Sequence, residues 1–112
     1  MVENAGAGIE RYMTLLSTRQ KLVASNIANA DTPGYKTKDI DFQSELQSQM
    51  GSLGPMVSEV SGLKTKNDGN NVDMDRESRL LAENALRFAV ATNLARSELA
   101  TLKSAIEEGK SS

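Results

Sequence analysis

Along the first part of the chain, Ile9, Met13, Leu16, Gln20, Val23, Ile27 and Ala30 follow one another in steps of four and three. This spacing lays a single stripe along a helix and is the pattern of a coiled-coil seam. Tyr12, Leu15 and Leu22 widen the stripe on its flanks. The pattern predicts a helix over residues 8–30. Gln20 is its one polar member, of the kind that sets register at some expense in stability.

A second run keeps the same alternation: Leu81, Ala85, Phe88, Thr92, Ala95, Leu99, Leu102 and Ile106. It predicts a helix over residues 73–109. Asp73 is its expected N-cap, and Asp75 and Glu77 in the first turn suit the helix dipole. Glu83 and Arg87 form a well-oriented i,i+4 pair, and Gly109 is the expected stop. Leu86, Ala89, Val90 and Leu94 fall off this seam and give the helix a second apolar surface. A two-helix hairpin needs only one buried stripe, so the extra surface implies further contacts.

The segment between, residues 31–72, reads as extended and turn-rich. Phe42, Leu46 and Met50 recur every fourth residue and predict a short helix over 41–50, stopped by Gly51, Gly54 and Pro55. Val57, Val60 and Leu63 are sparse, with room for one short strand. Residues 67–71, Asn-Asp-Gly-Asn-Asn, are a turn by composition. The fold class expected is mainly α. The N- and C-terminal helices pair as an antiparallel coiled-coil-like hairpin, joined by the turn-rich middle and its short helix. Leu16, Val23, Ile27, Leu81, Phe88, Leu99 and Leu102 are the expected packing residues, with Ala95 buried beside them.

Composition narrows the chemistry. The 112 residues fit one domain at most, and Tyr12, Tyr35, Phe42 and Phe88 are the only aromatics, so a compact core would be modest. A net charge of −2 offers no attraction to nucleic acid or an anionic membrane. No apolar run reaches the ~18 residues of a membrane span. Residues 1–9 lack the basic and apolar regions of a cleavable secretory signal, so a role outside the cytoplasm needs another exit.

Histidine and cysteine are absent, which removes Ser-His and Cys-His nucleophiles and the common zinc sites. No glycine-rich phosphate loop is present, since Gly51 and Gly54 are not followed by a Gly-Lys-Ser/Thr ending. Asp39 and Asp41, beside Lys36 and Lys38, read as a solvated segment. In the acidic stretch 68–75, an EF-hand count back from Gly69 puts Lys64 at the first position, where it cannot ligate calcium. No catalytic residue, cofactor or metal site is expected.

Residues 25–36, SNIANADTPGYK, break off the first helix abruptly. Asn26 and Asn29 lie on one face, since residues three apart are neighbours on a helix. Asparagine forms helices poorly because its amide bonds backbone groups, so the pair points to a specific polar contact or a controlled helix end. Pro33 pushes Thr32 out of the α region, and Pro33-Gly34 fits the centre of a type II turn with Gly34 at positive φ. Tyr35 is expected to pack its ring on protein.

The run resembles the N-terminal signature of the rod and hook family of bacterial flagellar axial proteins, a pattern of the form S-N-x-A-N-x-x-T-x-G-Y-K. Residues 68–75 and 81–88 are similar to the C-terminal part of its proximal-rod members. The serine-arginine-alanine-tyrosine-glutamate-like ending of other rod and hook proteins does not occur. The resemblance covers the two outer thirds, whereas residues 43–66 carry no such motif and look abbreviated. It implies that Asn26, Asn29, Thr32, Pro33, Gly34 and Tyr35 form an assembly motif, and that terminal helices line a hollow, torque-transmitting tube. It further implies assembly in the periplasm with copies of itself, other rod proteins and the rod-to-membrane-ring junction protein. Export would use the flagellar type III apparatus without signal cleavage. A coiled-coil adaptor that binds one helical partner is the alternative.

Overall fold

The computed structural model describes residues 2–48 and 54–111 as an elongated body of 71 × 26 × 17 Å. Its elements in order are α1 (Val2–Ala28), β1 (Lys38–Ile40), α2 (Phe42–Gln47), β2 (Val57–Glu59) and α3 (Met74–Ser111). The two long helices pack antiparallel. Gln20 of α1 meets Asn84 of α3, while Met13, nearer the start of α1, shares a groove with Leu99, further along α3.

Helix ends differ from expectation for local reasons. α1 begins at Val2 rather than residue 8 and carries Gly6 and Gly8 within it, at about 1 kcal/mol each. It ends at Ala28, two residues early, because Asn29 folds its Nδ2 back onto the Ser25 carbonyl at 2.8 Å. α3 is capped as expected: Asp73 Oδ1 accepts from the Asp75 and Arg76 amides at 3.0 and 3.2 Å. Gly109 does not stop it. Its φ is not positive, and the helix continues through Lys110 to Ser111. Ser112 lies outside the described residues.

α2 starts one residue late because Asp41 is its cap, accepting from Ser44 N at 3.2 Å. It ends at Gln47, where Ser48 turns extended. Met50 and Gly51 lie outside the described residues. β2 is the short strand that Val57 allowed. Its partner β1 was not anticipated, and the two pair antiparallel with Asp39 opposite Ser58.

The core joins Leu15 and Leu16 of α1, both fully buried, to Ile40, Phe42 and Ala91. Adjacent helical residues point about 100° apart, so α1 is covered on two sides. α3 covers one side, and the folded-back β1 and α2 cover the other. Tyr12 meets the Phe42 ring edge-on, with centroids 5.7 Å apart.

The seam of α3 is the main correction. Leu16 and Val23 are buried and Ile27 is half-buried, but Leu81, Phe88, Leu99 and Leu102 are exposed and Ala95 is only half-buried. The residues of α3 that turn inward are Glu77, Leu80, Asn84 and Ala91, with Arg87 half-buried between them. The heptad spacing is kept while the stripe is displaced. Polar contacts decide the rotation: Asn84 donates to the Leu16 carbonyl at 2.9 Å and to Gln20 Oε1 at 3.1 Å. Arg87 lies over the Phe42 ring, 5.2 Å from its centroid. Turning the apolar stripe inward would break these bonds and leave buried partners unpaired.

Candidate functional site

At the closed end of the hairpin, Asn26 of α1 is 1% exposed and uses its whole side chain. Nδ2 donates to the Lys38 carbonyl at 2.9 Å and to Glu77 Oε1 at 2.7 Å. Oδ1 accepts from Lys38 N at 3.1 Å and from Tyr35 Oη at 3.0 Å. A primary amide has two donor hydrogens and two lone pairs, so none is left over. One side chain thus ties α1 to the turn, to β1 and to α3. Ser25 Oγ lies 3.3 Å from Tyr35 Oη, and Lys38 Nζ stands 5.9 Å from the Tyr35 ring centroid.

The turn itself follows from Pro33-Gly34. Tyr35 N donates to Thr32 O at 3.2 Å, and Gly34 has φ 77°, the left-handed value that a type II turn requires. Thr32 Oγ1 donates to Asn29 Oδ1 at 3.0 Å. Thr32, Pro33 and Gly34 are exposed, while Asn29 and Tyr35 are half-buried.

Residues 66–72 cross this turn. Gly34 N donates to Asp68 O at 2.8 Å, and a Cβ on Gly69 would sit 3.2 Å from Gly34 Cα. Asn70, fully buried, donates to the carbonyls of Asn29 and Thr32 at 2.9 and 2.8 Å and accepts from Val72 N. Asn71 Oδ1 accepts from Thr37 N at 2.7 Å, and Asn71 N donates to Tyr35 O. Lys36 Nζ donates to Gly69 O, and Lys66 Nζ to Ala30 O. Carbonyls that the end of α1 leaves open are thereby filled from the far side of the sequence.

An ionic chain continues from Glu77, whose side chain is fully buried. Arg76 bridges Glu77 Oε2 at 2.7 Å and Asp39 Oδ2 at 2.6 Å, and Arg19 reaches the same Asp39 oxygen at 3.0 Å. Burial acts to lower the pKa of Arg76, but the hydrogen bonds and charges of Glu77 and Asp39 outweigh it and raise the value. Asp39 is therefore not solvated, as its lysine neighbours suggested, but 6% exposed and paired with two arginines. Asp41, by contrast, is exposed.

The structure gathers Asn26, Asn29, Thr32, Pro33, Gly34 and Tyr35 at one junction. Of the expected packing set, Val23 and Ile27 lie one turn or less from it along α1. Sequence reasoning missed Asp39, Asn70, Asn71 and Glu77 as parts of the junction. The doubled asparagine at 70–71 carried the same signal as the pair at 26 and 29. Glu77 carried none beyond its place in the first turn. Among the described residues no group of acidic side chains is arranged to hold a metal, and the bonds at the junction are those of a clamp.

Comparison with known proteins completes the picture. The family described as "Flagella basal body rod protein" matches residues 13–36, the stretch that ends in the turn. Flagellar basal body rod protein FlgB of Escherichia coli strain K12 is 31% identical over 89% of this chain and 91% of its own length. The protein of the same name from Borrelia hermsii is 32% identical over 75% of this chain and 82% of its own. That of Proteus mirabilis is 29% identical over 96% and 97%. The last alignment runs over 133 positions against the 112 residues here, so that relative has residues this chain lacks.

Proposed function

The chain belongs to the FlgB family of flagellar basal body rod proteins and is a structural subunit of that rod, and on this premise we propose how it works. It is a subunit of the proximal rod that assembles with copies of itself and with other rod proteins around a hollow axis. The polar junction locks the closed end of the hairpin, and neighbouring subunits cover the stripe of Leu81, Phe88, Leu99, Leu102 and Ile106. That exposed stripe is the observation that carries the reading, because solvent-facing leucines at heptad spacing need a partner. Its work is mechanical, passing torque along the rod while a channel stays open.

By the same reading the protein leaves the cytoplasm through the flagellar type III export apparatus, without signal cleavage. It then assembles in the periplasm against the rod-to-membrane-ring junction protein. It acts without a catalytic residue or cofactor, and binds no nucleic acid. No helix among the described residues is long and apolar enough to cross a membrane.

A deletion strain tests this. Electron microscopy of its basal bodies should find rods missing from the proximal end, and a tagged copy supplied in trans should restore them and fractionate with basal bodies. Hooks and filaments persisting in the deletion strain would overturn the assignment and favour the coiled-coil adaptor.

A further inference from the structure

Midway along the hairpin an open groove of about 440 Å³ lies between α1 and α3. Leu81, Ala85 and Phe88 of the exposed stripe line its α3 side, and Ser17 and Lys21 its α1 side. The hydrogen bond from Asn84 to Gln20 crosses from one helix to the other within it. Gln20, the polar interruption of the α1 seam, thus sits among apolar side chains of α3.

The chemistry of that bond fixes what the groove offers. A backbone carbonyl only accepts, so the Asn84 atom 2.9 Å from Leu16 O is the amide nitrogen. Its second hydrogen goes to Gln20, whose bonded atom must then be the oxygen. Asn84 Oδ1 and Gln20 Nε2 are left over, one acceptor and one donor, with no partner among the described residues. Gln20 is exposed, and Asn84, though only 4% exposed, keeps its Oδ1 in reach of solvent. A neighbour that covered the stripe with apolar side chains alone would strand both groups.

The occupant must therefore be apolar and bring one donor and one acceptor. A carboxylate or an ammonium offers only one of the two, and serine or threonine carries both on a short stem. A carboxamide presents them from two neighbouring atoms of one neutral side chain, as the groove itself does. A furrow between two packed helices admits the ridge of a third. We infer that a neighbouring subunit docks a helix here. It lays one asparagine or glutamine side chain on the Gln20–Asn84 pair and its apolar residues on Leu81, Ala85 and Phe88. The inference rests on the rod-subunit reading, which supplies the neighbour.

Gln20→Glu separates the inward bond from the outward one. The carboxylate still accepts from Asn84 Nδ2, now as a charge-assisted bond, but its outward atom has become an acceptor. Urea unfolding of the full-length isolated chain should show a midpoint no lower than the native one. In cells where the variant replaces the native copy, completed rods counted by electron microscopy should fall about tenfold or more, the factor that ~1.4 kcal/mol represents. Ser17→Glu, which brings the same charge to the rim of the groove, should cost clearly less. Swimming revertants of the Gln20→Glu strain should carry an asparagine or glutamine of a rod subunit changed to lysine or arginine, which only donate. Normal rods from Gln20→Glu would overturn the inference while leaving the rod role, tested by the deletion strain, intact. Equal losses from Ser17→Glu, or revertants altered only at apolar or hydroxyl positions, would overturn it too. If Gln20→Glu unfolds more easily in isolation, Ala85→Leu is scored in its place. Ala85 is exposed, so this change keeps the amide pair and fills the space beside it. Rods should again be lost, and normal rods, which a purely apolar contact would allow, would sink the carboxamide.

Discussion

Asn26 completes the inner edge of β1 by pairing with Lys38 as a neighbouring strand would. Its side-chain amide donates to the Lys38 carbonyl at 2.9 Å and accepts from the Lys38 amide at 3.1 Å. A two-stranded sheet is marginal in water, so one helix side chain replaces the third strand and seals that edge against α1. The same amide reaches Glu77 and Tyr35, which makes it the point where all parts of the closed end meet.

Replacing Asn26 by alanine should therefore cost about 3 kcal/mol or more, since it leaves several buried groups without partners at ~1–3 kcal/mol each. Urea unfolding followed by circular dichroism measures it. Glu77→Ala in the Asn26→Ala background should cost clearly less than in the native chain. Strict additivity of the two would show that the 2.7 Å bond carries no energy.

The two glycines of the crossing loops should respond differently. Gly34→Ala pays only for the left-handed backbone, about 1–2 kcal/mol, because nothing lies within 4 Å of its new Cβ. Gly69→Ala has the same strain at φ 85° and in addition drives its Cβ to 3.2 Å from Gly34 Cα, so it should be the more damaging. Comparing the melting temperatures decides the order. Gly34→Val, β-branched at positive φ, should reduce swimming and rod assembly.

Asp39→Ala should lose about 3–5 kcal/mol, because Arg19 and Arg76 then remain with their shared carboxylate gone. The pair is largely shielded, with side chains 8–16% exposed. The loss should persist at high salt, unlike that of a surface pair. Unfolding curves at low and high ionic strength read this directly.

Core and stripe should separate energetically. Leu16→Ala should cost about 2–5 kcal/mol in the isolated chain. Phe88→Ala, at 39% exposure, should cost there no more than about half of the ~3–5 kcal/mol of a buried phenylalanine. On the proposal that a neighbour covers the stripe in assembled rods, Phe88→Ala should weaken assembly. Equal stability losses for the two variants in a proven monomer would contradict the division.

In the isolated chain, amides of α3 beyond Leu99, where every described side chain is exposed, should exchange fast, whereas Thr37, Asn70 and Val72 should be protected. Strong protection of the distal end in dilute monomer would show that the hairpin needs no neighbours.

Several features could be read from the residues alone because their causes are local. Heptad spacing foretold two long helices, Pro33-Gly34 the type II turn, Asp73 a cap, and Glu83 with Arg87 their 2.7 Å pair. Each depends on groups within about four residues of one another. The run at 25–36 marked the junction, though not which of its side chains would be buried.

The rotation of α3 could not be read in this way. Periodicity says that a stripe exists and how long it is, and the most apolar stripe is the natural choice for the inside. Tertiary structure chose the neighbouring one, because Asn26 meets Glu77 across 51 residues and Asn84 meets Leu16 across 68. Such contacts are worth more when buried and paired than a few partly covered leucines, and no local pattern announces them. The burial of Asp39 between Arg19 and Arg76, and the pairing of β1 with β2, were decided by the same folding back of the middle segment. The sequence determined the helices, the turn and the caps, whose causes lie within a few residues. Which face α3 turns inward, and which leucines stay outside, were settled only where distant polar groups met.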